Sequence, residues 1–88
     1  MIDRPLTDTE ADYLKLMRGV AKTKRAMEHA IANKLTEGDP ESMREKLRNV
    51  YAIINNGYRS KIDDETRAML HAYADQEARG LLTVSPRN

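Results

Sequence analysis

Five basic side chains in the first half of the chain recur at spacings of three and four residues. They are Lys15, Arg18, Lys22, Arg25 and His29. Residues at this spacing share one face of an α-helix, so a helix here would carry a continuous basic stripe. Such a stripe could bind a row of phosphates or another anion. The alternative is a solvent-exposed face that is partly paired with Asp12 and Glu28.

A second candidate is a short segment that combines glycine, an aromatic ring and two cations: Gly57, Tyr58, Arg59 and Lys61. An aromatic ring can stack on a base while neighbouring cations hold a phosphate. The alternative is that Tyr58 packs on the core and both cations face solvent. Together with the stripe, this segment gives the candidate partner-binding or anion-binding set. Its members are Lys15, Arg18, Lys22, Arg25, Tyr58, Arg59 and Lys61.

The sequence contains no residue pattern that is typical of a catalytic or metal site. Ser42, Ser60 and Ser85 lie in no nucleophile motif, and neither histidine has a neighbouring base pattern. His71 and Asp75 share a helical face, but a zinc site needs at least three protein ligands. We therefore expect no enzyme activity, no metal and no cofactor.

The spacing of apolar residues predicts a long first helix over residues 8–36. Thr7 and Glu10 match a capping box, and Gly38 would stop the helix. Asp39 followed by Pro40 predicts the start of a second helix over residues 40–55. Asp63 or Asp64 would cap a third helix that Gly80 closes.

These elements predict an all-α fold, a small three-helix bundle with a long N-terminal helix. Residues 1–88 would form one helical domain, with residues 1–6 and 83–88 flexible. A helix-turn-helix DNA reader is disfavoured, because the third helix opens with Asp63, Asp64 and Glu65, which a phosphate backbone would repel.

The predicted helix lengths suggest a self-association surface. The second helix is too short to cover the first and is expected on its C-terminal half, from Met27 to Leu35. The apolar residues of the N-terminal half then need the third helix, another copy of the chain or a different protein to cover them. We take the second possibility and predict an oligomer interface made of Tyr13, Leu14, Leu16, Met17 and Val20.

Composition narrows the class of protein further. The chain has 88 residues, no cysteine and a formal net charge of +1. The lack of cysteine removes disulfides and thiolate metal sites. No uncharged stretch is long enough to cross a bilayer, so we expect a cytoplasmic location and no membrane partner.

We therefore expect a non-enzymatic helical interaction protein, a homo-oligomer that binds a macromolecular partner and modulates or inhibits it. The partner would be a protein, either a second copy or a host protein. In size and composition the chain is similar to accessory proteins of phages and mobile elements, a similarity of class that no motif carries. The alternative is a nucleic-acid or nucleotide binder that uses the stripe and the Tyr58 segment.

Overall fold

The computed structural model describes residues 5–80 as three α-helices. They are α1 (Asp8–Ala32), α2 (Pro40–Gly57) and α3 (Asp64–Ala78). The predicted all-α class and the three-helix arrangement with a long first helix are confirmed. The predicted flexible ends fall mostly on residues 1–4 and 81–88, which lie outside the described residues.

Each helix begins at a side-chain cap, as the sequence predicts. The Thr7 hydroxyl accepts from the backbone N–H of Glu10 at 3.1 Å, and the Glu10 carboxylate accepts from the N–H of Thr7 at 3.0 Å. Asp39 and Asp63 accept from the N–H groups three residues later in α2 and α3. Each cap supplies a partner for N–H groups that lack one inside the first helical turn.

The first helix ends four residues earlier than predicted, at Ala32 instead of residue 36. The Asn33 side chain donates to the carbonyl of His29 at 2.8 Å, and Lys34 takes a left-handed conformation with φ 56°. The N–H of Leu35 then donates back to the carbonyl of Ala30 at 2.8 Å. Asn33 and Lys34 thus provide the termination that the sequence analysis assigned to Gly38.

The second helix runs antiparallel to α1 along most of its length. Arg44, near the start of α2, is hydrogen-bonded to Glu28, and Tyr58, just after α2, packs on Tyr13 near the start of α1. The expectation that this helix covers only the C-terminal half of α1 is therefore wrong. The expectation fails because of the helix lengths: α1 is shorter than predicted and α2 continues to Gly57, so α2 extends along most of α1.

The third helix lies parallel to α1 and, with the preceding linker, buries the N-terminal half of that helix. The buried apolar core consists of Tyr13, Leu14, Met17, Ala21, Ile62, Leu70 and Ala74. This burial corrects the predicted oligomer interface, because Tyr13, Leu14 and Met17 are 0%, 5% and 0% exposed within one chain. Val20 is partly buried, and Leu16 stays 41% exposed. The sequence argument for self-association through this region no longer holds.

Candidate functional site

The second helix has an apolar side that the rest of the described chain leaves uncovered. No residue of α2 is buried, although α1 and α3 both contribute to the core. Val50 is 46% exposed and Ile53 is 71% exposed. We call these two side chains the α2 flank.

A groove separates α1 from α2 next to the residues that hold the two helices together. Its volume is about 360 Å³. The lining residues are Val20, Lys24, Met27, Glu28, Arg44, Leu47, Arg48, Tyr51 and His71. Apolar side chains from both helices and cations from both helices therefore meet in one concave surface, the composition that is typical of a small binding site.

Glu28 and Arg44 form an ion pair that connects α1 to α2 at the groove. Arg44 donates to both carboxylate oxygens of Glu28, at 2.8 and 2.9 Å, and also to Glu41 at 3.2 Å. The hydrogen bonds from Arg44 lower the pKa of Glu28 below its usual value. The side chains of Arg44 and Glu28 are 35% and 38% exposed, so solvent weakens the pair, and it positions the helices more than it stabilises them.

The end of the groove nearest α3 is formed by an aromatic contact. The rings of Tyr51 and His71 lie 4.6 Å apart between centroids, tilted by 37°. Burial is the main cause that lowers the pKa of His71 below its ordinary value of 6.5, and Lys24 acts in the same direction, whereas Asp75 raises it. His71 is therefore neutral at pH 7 and forms an uncharged wall.

The basic stripe is partly neutralised by α3. Arg18 forms a two-point ion pair with Glu77, with N–O distances of 2.9 and 3.2 Å. Lys15, Lys22 and Arg25 are exposed and form no ion pair within residues 5–80. Of the four α1 cations in the candidate binding set, three thus remain accessible. The fourth, Arg18, connects α1 to α3.

The Tyr58 segment is positioned differently from the stripe. The Tyr58 ring packs edge-on against buried Tyr13 at 5.2 Å, and the Lys61 ammonium lies 5.5 Å from the centre of the Tyr58 ring. Tyr58 is partly buried against the core, and Arg59 is exposed. Because Tyr13 lies on the buried face of α1 and the stripe lies on an exposed one, the structure does not bring the two halves of the predicted set together.

Sequence reasoning missed a buried polar cluster where the three helices meet. Arg67 is 5% exposed and donates to the Ile62 carbonyl at 3.0 Å and to the Asn55 side-chain oxygen at 2.6 Å, and it pairs with Asp64. The Tyr13 hydroxyl donates to the same Asn55 oxygen at 3.2 Å. Burial raises the pKa of Tyr13 to about 12, with Tyr51 adding to the effect. The sequence contains one signal that Arg67 is buried. Arg67 precedes Leu70 and Ala74 by three and seven residues, so it shares their inward face of α3.

The residues 5–80 contain no group of three or more histidine, aspartate or glutamate side chains placed to hold a metal ion. Over the same range, none of the three helices combines the length and the apolar character that a bilayer span requires. In comparisons with protein-family models, with curated proteins and with solved structures, no match to this chain is found.

Proposed function

We propose that this chain is a non-catalytic helical binding protein whose second helix is the element that contacts a partner protein. One observation carries the proposal. The 18-residue helix α2 has no buried residue among the residues described: Tyr51 and Ile54 pack partly against the core, whereas Val50 and Ile53 stay exposed. Helices of globular proteins owe most of their stability to packing of an apolar face, and the described residues cover the apolar side chains of this helix only in part.

The free energy available from such cover is substantial. Fully burying one valine or isoleucine side chain stabilises by about 1.5–3 kcal/mol. The α2 flank supplies two such side chains, 46% and 71% exposed. A partner that covered them would gain affinity from residues that contribute little to the fold of the chain itself. Modulation or inhibition of that partner would follow from occupying its surface.

The experiment compares two double variants that carry the same change of charge on α2. Val50→Asp with Ile53→Asp places two carboxylates on the flank, and Ser42→Asp with Ala52→Asp places them on exposed positions of α2 outside it. Each tagged chain is used to capture proteins from an extract of its own source cells. We expect one stoichiometric companion that the control retains and the flank variant loses.

Two outcomes would contradict the proposal. One is a companion that both double variants retain equally, and the other is the absence of any stoichiometric companion of the unsubstituted chain. Light scattering of the purified chain is run in parallel. A mass near a multiple of 10.1 kDa that the flank variant reduces to a single chain would show that the companion is a second copy.

Nucleic-acid binding is the second candidate function, and the exposure of Lys15, Lys22 and Arg25 favours it. Affinity that depends on phosphate contacts falls steeply as salt is raised. The test is a gel-shift titration at low and high salt with the double variant Lys22→Glu, Arg25→Glu. We expect salt-sensitive binding that this variant abolishes, and a flat titration at low salt would exclude this function.

A further inference from the structure

We infer that the groove between α1 and α2 binds an acidic amphipathic segment of a partner protein. This inference rests on the proposed function, since it names the chemistry of the partner. It concerns a surface distinct from the flank, because neither Val50 nor Ile53 lines the groove.

The floor of the groove is apolar. Val20 and Met27 come from α1, and Leu47 and Tyr51 come from α2, and each of these side chains is only partly buried. The spacing of seven residues in α1 and of four residues in α2 keeps each pair on one face of its helix. A ligand therefore needs at least one bulky apolar side chain to displace water from this floor.

The rims of the groove are cationic. Lys24 on α1 and Arg48 on α2 are both exposed, and within residues 5–80 neither forms an ion pair. Arg44 is held by Glu28, which is the single carboxylate of the lining. The lining therefore has an excess of two positive charges in a chain whose net charge is +1. A partner of complementary charge would present carboxylates on both sides of its apolar side chain.

The same charges argue against a second copy as the occupant. If two copies met symmetrically at their grooves, each rim would place Lys24 and Arg48 near the same cations of the other copy. Like charges brought together across an interface disfavour association. A heterologous segment whose apolar side chains are flanked by carboxylates meets both requirements of the surface. An amphipathic helix with a row of leucines and glutamates along both edges of that row has this arrangement.

The test uses a fluorescein-labelled synthetic peptide of about 15 residues with leucines along one helical face and glutamates along both edges of that face. Its matched control has lysine at every glutamate position. Fluorescence polarisation measures binding of each peptide to the full chain. We expect the acidic peptide to bind, and the lysine peptide to bind at least about tenfold more weakly.

Two charge-reversed chains locate the binding. Lys24→Glu with Arg48→Glu reverses the rims. Lys22→Glu with Lys46→Glu reverses one exposed cation on each of the same two helices, outside the groove. We expect the rim variant to weaken binding of the acidic peptide by at least about tenfold and the control by less than about threefold. Circular dichroism confirms that both variants are folded.

Three results would overturn the inference: no binding of the acidic peptide up to about 1 mM, equal loss in both charge-reversed chains, or equal binding of the lysine peptide. None of these results decides the proposed function, which depends on capture through the α2 flank. If a companion is lost from the flank variant while the acidic peptide fails to bind, the chain binds a partner and the stated chemistry of that partner is wrong.

Discussion

Single residues at helix ends and on exposed helix faces determine much of the local structure of this chain. Thr7, Asp39 and Asp63 accept from N–H groups three positions away, so their roles could be predicted from sequence. The partners of Arg67 are harder to predict, because Asn55 lies 12 residues away and reaches Arg67 only after α2 and α3 are arranged. Local chemistry was predictable, whereas hydrogen bonds between helices required the fold.

Two glycines should respond in opposite directions to substitution by alanine. Gly19 is inside α1, and an added Cβ would meet nothing within 4 Å. We expect Gly19→Ala to stabilise the chain by about 0.5–1 kcal/mol, because alanine has the higher helix propensity. Gly80 has φ +78°, a conformation that alanine adopts with strain, so Gly80→Ala should destabilise by about 1 kcal/mol. Urea denaturation measures both, and equal signs would contradict these assignments.

His71 should give the stability of the chain a pH dependence near neutrality. Its pKa is lower in the folded chain than the ordinary value of 6.5, because the ring is partly buried beside Tyr51 and near Lys24, with Asp75 acting in the opposite direction. The unfolded chain therefore takes up the proton first, and stability falls as the pH is lowered through about 6.5.

The measurement is the melting temperature at pH 7.5 and at pH 5.5. We expect a smaller decrease in His71→Gln than in the unsubstituted chain, since glutamine does not titrate. His29→Gln, a change at an exposed position of α1, is the control and should keep the full decrease. An identical decrease in His71→Gln and in the unsubstituted chain would contradict the role assigned to this ring.

At the scale of helices, the periodic pattern predicted which elements exist but not how they cover one another. The apolar residues Tyr13 and Met17 were correctly identified as needing cover. That cover comes from α3 of the same chain instead of a second copy, because the linker lets α3 lie parallel to α1. The opposite error concerns Leu35, which was predicted to lie in α1 under the cover of α2. It follows the end of α1 and is 71% exposed.

The buried cluster around Arg67 should be the main polar connection between α2 and α3. Replacing Arg67 with methionine leaves the Ile62 carbonyl and the Asn55 side-chain oxygen without this donor. The Asn55 oxygen keeps the hydrogen bond from the Tyr13 hydroxyl, so the main cost is the loss of the donor to the Ile62 carbonyl. We expect Arg67→Met to lower the free energy of unfolding by about 1–3 kcal/mol. Chemical denaturation measures this change.

Arg79→Met is the matched control on the same helix. Arg79 forms an ion pair with Asp75 at 2.8 Å, but its side chain is 53% exposed. Such a pair contributes less than about 0.5 kcal/mol in most measurements. If both substitutions destabilised the chain equally, Arg67 would not have the connecting role assigned to it.

At the scale of the whole molecule, α1, α3 and Ile62 supply the buried residues of a small core, and among the described residues α2 adds only partly buried side chains to it. Chains of this size gain only about 3–5 kcal/mol from one core. A partner that binds the folded chain would add to this, by about 2.7 kcal/mol at a concentration 100 times its dissociation constant. The described residues bury Tyr13 and Met17 of α1 within one chain and leave Val50 and Ile53 of α2 exposed, so the proposed contact with a partner is assigned to α2.

The most direct test of the uncovered second helix uses thiol labelling, because the chain contains no cysteine. The single variant Ile53→Cys places a thiol on the flank, and Ala52→Cys places one on an exposed position outside it. A third variant, Ala74→Cys, places a thiol in the core at a site that is 1% exposed. The rate of alkylation by iodoacetamide is measured for each isolated chain. We expect Ile53→Cys to react within about threefold of Ala52→Cys, and Ala74→Cys to react about 100-fold more slowly, through transient opening only. Protection of Ile53→Cys to the level of Ala74→Cys would contradict the account, because the flank would then be covered in solution.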